Sequence, residues 1–305
     1  MKPHQLLVPG DTVELVAPSC ALKSHEQIDS ACHIIESWGL KVKLSNCLVE
    51  NNQQSLPFLE YSDNDRFNSL KEALLNPDSQ AIWCVRGGYG AMRIMPMLYQ
   101  LSQPQFDKIV IGYSDITALH LFLNRQWGWQ TIHGEMLNRC HHNDIISNLE
   151  ELKTVLMKGA HQQIFKLSPL NTCAKNASQI MGVSFAGNLS LLQCSIKTPW
   201  QLQAENKLLI LEEIGEKAYQ IDRMLVHLSQ SQLLNSSAII FADFIHSDLN
   251  EQLRIKDTLK NFAYEANLPV YKMENVGHGL INRPIVNNVI SMIKEDKLFN
   301  LVGIT

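Results

Sequence analysis

Along the front half of the chain, apolar positions alternate between two periods. "TVELVAPS" is a buried strand running into a loop, and "SHEQIDSACHIIESWG" is a helix with Ile28, Ala31, Cys32, Ile35 and Trp38 on one face. Ser24 and Gln27 have the spacing of a capping box, and Gly39 marks a stop. The strand "LKVKLS" follows, then the helix "SDNDRFNSLKEALLNPDS", with Phe67, Leu70, Ala73 and Leu74 inward and Pro77 after its end. "AIWCV" is a strand, "RGGYG" a glycine turn, and "AMRIMPMLY" a helix interrupted or kinked at Pro96. "KIVIG" is a strand, "YSD" a corner and "ITALHLFLNRQ" a helix; the strand "QTIHG" and the helix "DIISNLEELKTVLMKG" close this half.

Strands separated by helices of that length imply right-handed crossovers and a mostly parallel sheet, whose ligands bind at the carboxyl ends of the strands. The loops "VAPS", "RGGYG" and "GYSD" all fall at that edge, which favours a site over three unrelated turns. The periodicity fades after Gly159, so we expect domains at 1–160 and 178–305 with a connection over 161–177, in which Gln163–Leu167 has strand character. The second half reads as "QIMGVSFAGNLSLLQCSI", the strand "KLLILEEI", the helix "AYQIDRMLVHLSQSQLL", the strand "SAIIFADF", the helix "LNEQLRIKDTLKNFAYEA", the strand "LPVYKM" and a closing "ENVGHGLINRPIVNN".

Composition narrows the classes. Of 305 residues, 45% are hydrophobic and 18% charged, which suits a folded globular chain. Formal net charge is −4, from 26 basic and 30 acidic residues, and no basic stripe is interleaved with aromatics; neither nucleic acid nor an anionic membrane is the expected partner. The opening "MKPHQLLVPGDTVELVAPSC" lacks the apolar run of a secretory signal, and no stretch is long enough to span a bilayer. Seven cysteines are scattered without a C-x-x-C pair, so a reducing cytoplasm is expected rather than a disulfide framework.

Four features could carry chemistry. Ser114, with Gly112 before it and Asp115 after, either caps a helix or is a nucleophile at a strand-to-helix turn. The Asp115 N–H, in the first turn of a helix, is then half of an oxyanion hole. Ile116 stands where the second glycine of a nucleophile elbow belongs. Gly87 and Gly88 of "RGGYG" either make a tight turn or supply the second donor; the nucleotide-loop spacings are absent. Glu212 and Glu213 end an apolar strand, and alternation sends them to opposite faces. His278, between Gly277 and Gly279, is either a loop residue or a general base. Weaker candidates are Cys140, His141 and His142, which lack metal spacing, His133 at a strand end, and Asp222 with Arg223, read as an ion pair. No metal or organic cofactor is expected.

The order of these motifs is more telling than any one of them. "VAPS", "RGGYG", "GYSDITALH", "AGNLSLL", "LEEIGEKAYQIDRML" and "GHGLINRP" follow one another from about Val13 to Asn288. The chain resembles the L,D-carboxypeptidase family of serine peptidases, which also contains the microcin C self-immunity hydrolases. The resemblance implies a flavodoxin-like parallel-sheet N-terminal domain bearing the serine and a smaller α/β C-terminal domain bearing acid and histidine. The active site would lie between them, in a homodimer. It assigns Ser114 as nucleophile, Glu212 as acid and His278 as base, with oxyanion donors from Asp115 and from Gly87 or Gly88. The implied substrate is the murein tetrapeptide, a peptidoglycan-derived peptide cut before its terminal D-alanine in cytoplasmic cell-wall recycling. Arg86 and Tyr89 of the glycine turn are the substrate-binding candidates, since a guanidinium pairs bidentately with a carboxylate. "HGEM" stands where the family commonly has His-Gly-Pro, and "RPIVNN" replaces a more usual proline-leucine-proline-type ending; both bear on substrate preference.

Two rival readings stand beside this one. The first keeps the triad but acts on peptidyl- or aminoacyl-sulfamoyl adenylates, which needs an aromatic surface from Trp83, Trp127, Trp129 or Trp200. The second is a non-catalytic sheet protein that binds a nucleotide or peptide at "RGGYG".

Overall fold

The computed structural model describes residues 6–50, 56–140, 142–160 and 163–301. They divide into two compact units, the front one ending at Lys158 and the back one beginning at Gly159. Among the described residues, no helix is long and apolar enough to cross a membrane.

In the front unit, β1 (Thr12–Val16), α1 (His25–Ser37), β2 (Lys41–Leu44), α2 (Asp63–Leu75), β3 (Ala81–Cys84), α3 (Ala91–Leu98), β4 (Ile109–Gly112), α4 (Thr117–Phe122), β5 (Thr131–His133) and α5 (Ile146–Lys158) alternate. The strands pair in parallel in the order β5-β4-β3-β1-β2, with Leu15 opposite Trp83 and Ile111 opposite Ile132. That is the flavodoxin-like order, with its switch point between β1 and β3. β3 and β4 are buried throughout, which explains their unbroken apolar sequence. β2 lies at the edge and exposes Lys41 and Lys43, which discourage pairing with another chain.

Two local expectations change. Ser24 holds the N-cap position of α1 without a side-chain capping bond. Gln27 instead accepts from the Lys23 N–H at 2.8 Å and donates to Asn138 O at 2.7 Å, so its amide ties the helix to a distant loop. On α2, Phe67 is only half-buried, and the inward place belongs to Arg66, which is 1% exposed.

The back unit contains β6 (Ile164–Lys166), β7 (Ser168–Pro169), α6 (Thr172–Asn176), β8 (Gln179–Asn188), α7 (Leu189–Cys194), β9 (Lys207–Ile214), α8 (Ala218–Gln230), β10 (Ala238–Ile245), α9 (Leu249–Glu265), β11 (Val270–Lys272), β12 (Ile285–Asn287), β13 (Ile290–Lys294) and β14 (Lys297–Asn300). An eight-stranded sheet runs β6-β14-β13-β8-β9-β10-β11-β7. Its centre, β8 to β11, is parallel and its flanks are antiparallel. The core gathers Phe165, Leu208, Ile210, Ile240, Tyr271 and Leu298. Within the segment read as a connection, β6, β7 and α6 are therefore built into this unit: β6 and β7 form both edges of its sheet. β6 falls within the strand expected at Gln163–Leu167, whereas β7 and α6, of two and five residues, carry too little periodicity to stand out in sequence.

Candidate active site

Ser114 stands where β4 gives way to α4, and its backbone is left-handed, with φ of 61°. A non-glycine residue held there costs roughly 1–2 kcal/mol and calls for a reason. Capping is not that reason. The short 3₁₀ turn Ser114–Ile116 has Tyr113 at its N-cap with no side-chain capping bond, and α4 has Ile116 there. The bend instead leaves the Ser114 side chain half-exposed at the carboxyl edge of the sheet, as in a nucleophile elbow. Gly112 is required because a Cβ there would stand 2.9 Å from Ile116 Cγ1. The Gly112 carbonyl accepts from the Gly134 N–H at 3.2 Å and from His120 Nε2 at 2.8 Å, which fixes the last strand residue before the turn.

Gly87 packs directly on the serine: an added Cβ would lie 3.1 Å from Ser114 Cβ and 3.3 Å from Ser114 Oγ. Gly88, with φ of 98°, faces Cys20 instead. The three loops singled out in the sequence meet at the carboxylate of Asp115, which is 3% exposed. Its Oδ2 accepts from Ser19 Oγ at 2.6 Å and from the Ala91 N–H at 2.8 Å. Burial pushes its pKa up, while those two bonds and the Arg66 charge pull it down. Arg66 donates to Pro18 O and, at 2.9 Å, to Gly90 O, and pairs with Asp63. Loop backbone, a buried carboxylate and a buried guanidinium thus hold the serine corner.

In the back unit Glu212 and Glu213 part company, as alternation requires. Glu212 is fully buried, and its Oε2 accepts from His278 Nδ1 at 2.6 Å. Glu213 accepts from Asn188 Nδ2 at 3.0 Å and, through its other oxygen, from the N–H and hydroxyl of Ser190 at 2.9 and 2.7 Å. It therefore secures the start of α7, while burial raises its pKa against those bonds. Gly277, with φ of 120°, makes the histidine contact possible, because a Cβ would stand 2.9 Å from Glu212 Cβ. The His278 side chain is 14% exposed.

Ser114, Asp115 and Gly87 thus come together in the front unit, and Glu212 and His278 in the back one. Arg86 donates to Ala21 O at 2.8 Å and to Glu50 Oε1 at 3.0 Å, which leaves less of its fork for a substrate. Tyr89 is half-exposed and packs edge-on against Phe58 at 5.4 Å. His133 is buried, 5.8 Å from the Tyr113 ring. Cys140 is buried, His142 exposed, and His141 lies outside the described residues. Arg223 lies over the Tyr219 ring at 5.8 Å. Among the described residues, no group of three or more His, Cys, Asp or Glu could hold a metal ion. Sequence reasoning missed Arg66, His120 and the Asp115 carboxylate. For Arg66 a signal existed, since it shares the apolar stripe of Leu70 and Ala73.

Residues 13–134 match the family of LD-carboxypeptidase N-terminal domains, and residues 181–291 that of LD-carboxypeptidase C-terminal domains. A Rickettsia conorii protein that carries a carboxypeptidase name is 41% identical over 269 residues, covering 87% of this chain and 83% of its own. A probable murein peptide carboxypeptidase of Bacillus subtilis is 32% identical over 282 residues, covering 88% and 84%. Among solved structures, an MccF-like protein from Bacillus anthracis str. Ames superposes with a TM-score of 0.82 at 19% identity, over 98% of each chain.

Proposed function

The chain belongs to the LD-carboxypeptidase family of serine-type carboxypeptidases, and from that premise we propose that it removes the terminal D-alanine from murein tetrapeptide through Ser114, His278 and Glu212. The 2.6 Å hydrogen bond between His278 Nδ1 and Glu212 Oε2 carries the reading. In this reading Nδ1 donates to the buried carboxylate, Nε2 acts as the basic nitrogen, and the carboxylate stabilises imidazolium. In this mechanism Nε2 takes the Ser114 proton as Oγ attacks the carbonyl between the L-centre of diaminopimelate and D-alanine. The oxyanion is met by the Asp115 N–H and by one N–H of the Gly87–Gly88 turn. His278 then gives its proton to the leaving amine, and water resolves the acyl-enzyme. The reaction uses no metal or organic cofactor, and the reading takes it to be a cytoplasmic recycling step carried out by a homodimer.

The sulfamoyl-adenylate reading gains less support, because Trp83, Trp127, Trp129 and Trp200 are all at most 7% exposed and offer no open face for adenine. Mass spectrometry of murein tetrapeptide before and after incubation decides between the two. We expect loss of one alanine; unchanged tetrapeptide with cleavage of an aminoacyl-sulfamoyl adenylate would transfer the chemistry to the other substrate.

A further inference from the structure

Behind the histidine loop lies a carboxylate that the mechanism above does not use. Asp243 sits in β10 where the register against β9 slips between Phe241 and Phe244. Its N–H donates to Val276 O at 3.1 Å, and its Oδ1 accepts from the Asn275 N–H at 3.2 Å. On the far side of His278, its Oδ2 lies 2.9 Å from where a Cβ on Gly279 would stand. One residue therefore bonds the loop backbone before the imidazole and stands close beside the glycine after it. Farther along, the Gly277 N–H donates to Asn282 Oδ1 at 3.0 Å and the Arg283 N–H to Asn275 O at 2.8 Å, so the loop is braced from its other end as well.

We propose that Asp243 is a positioning residue for His278, bonding the near flank of its loop, standing beside Gly279 on the other, and placing a second negative charge behind the Glu212–His278 pair. The inference rests on His278 being the catalytic base. Burial pushes the Asp243 pKa up to about 6; the Asn275 N–H opposes that shift and the Glu212 charge adds to it. The charged groups facing it are Glu212 from β9, Lys272 from β11 and Glu274 from the adjoining loop. Lys256 and Lys260 of α9 join Asp243 in lining a cavity of about 260 Å³. Lys272 is paired with Glu274 at 3.2 Å and Lys260 with Asp257 at 3.6 Å, so these cations are already partly compensated. A carboxylate close to an imidazole favours its protonated form, so removing the charge lowers the pH at which His278 titrates.

Asp243→Asn keeps an oxygen for the Asn275 N–H and deletes the charge; Asp243→Ala deletes both. An NMR titration of the His278 ring, assigned with His278→Gln, is expected to move to lower pH by roughly 0.3–1 unit in Asp243→Asn. The acid limb of kcat/KM on murein tetrapeptide follows in the same direction, with plateau kcat within about threefold of the parent. In Asp243→Ala, plateau kcat falls about tenfold or more at little-changed KM, because the imidazole loses its aim rather than the substrate its site. A residue that only stabilises the fold would leave the His278 titration where it was. An unmoved titration in Asp243→Asn overturns the proposal, and if Asp243→Ala does not fold, that titration decides alone. Full turnover in His278→Ala defeats the catalytic reading instead, whatever the titration shows.

Discussion

Ser114 is aimed by its own backbone, bent to a φ of 61°, whereas His278 is aimed by a neighbouring side chain, the buried Glu212. Around the serine, three loops are tied through Asp115 and Arg66, and a glycine lies against the hydroxyl. Around the histidine, Gly277 lets a loop settle onto Glu212. A nucleophile must be presented at a fixed angle, and a strained turn does that. A base must rotate little but change its charge, and a carboxylate partner serves that end. The adjacent Glu213 is also buried, and its carboxylate bonds Asn188 and Ser190 at the start of α7.

Breaking either corner at Ser114 or His278, the groups proposed to react, is expected to have the largest effect. Ser114→Ala and His278→Ala should each lower kcat by about 10⁴-fold or more on murein tetrapeptide, with circular dichroism unchanged. The two glutamates should then separate cleanly. Glu212→Gln lowers kcat by about 10²–10⁴-fold with the melting temperature little moved, since it orients the imidazole. Glu213→Gln leaves kcat within about threefold but destabilises by about 1–3 kcal/mol in urea titration, because it disturbs a buried hydrogen-bonded carboxylate. Reversal of that pattern would assign the acid to the wrong residue.

Gly87→Ala sharpens the serine side: the new methyl crowds Ser114 Oγ, so kcat should fall about 10–100-fold in steady-state assays with modest loss of stability. The smallest expected effect is on pH dependence. His120 is buried beneath the elbow, and burial pushes its pKa down to about 4, against a donated bond to Gly112 O that raises it. Its folded pKa lies below its unfolded value of about 6.5, so the stability it contributes is present above that pH and lost as pH falls toward 4. By linkage that amounts to about 2 kcal/mol between pH 7 and pH 5. Buried acids such as Asp115, whose pKa is raised, act in the opposite direction. The difference between parent and His120→Gln in urea titrations at the two pH values isolates the histidine: the parent should lose more stability on acidification.

The alternation of strands and helices in the front unit was legible because fully buried parallel strands advertise themselves as apolar runs. The meeting of "VAPS", "RGGYG" and "GYSD" was legible because loops at the carboxyl edge of such a sheet converge. Which atom joins them was not: the Asp115 carboxylate makes its bonds across 96 and 24 positions of chain. The division between Glu212 and Glu213 follows from pleat geometry, and the choice of Glu212 came from the family resemblance rather than from the residues alone. The β13–β14 hairpin carries no turn signature in the sequence, because Glu295 and Asp296, with φ of 51° and 53°, occupy a turn that Asn-Gly more often marks.

Intact-mass and peptide-mapping analysis after treatment with a fluorophosphonate tests most directly whether Ser114 is a nucleophile activated by His278. One adduct is expected, on Ser114, absent from Ser114→Ala and formed about a hundredfold or more slowly in His278→Ala. Modification of another residue, or labelling of Ser114 at the same rate without His278, would contradict it.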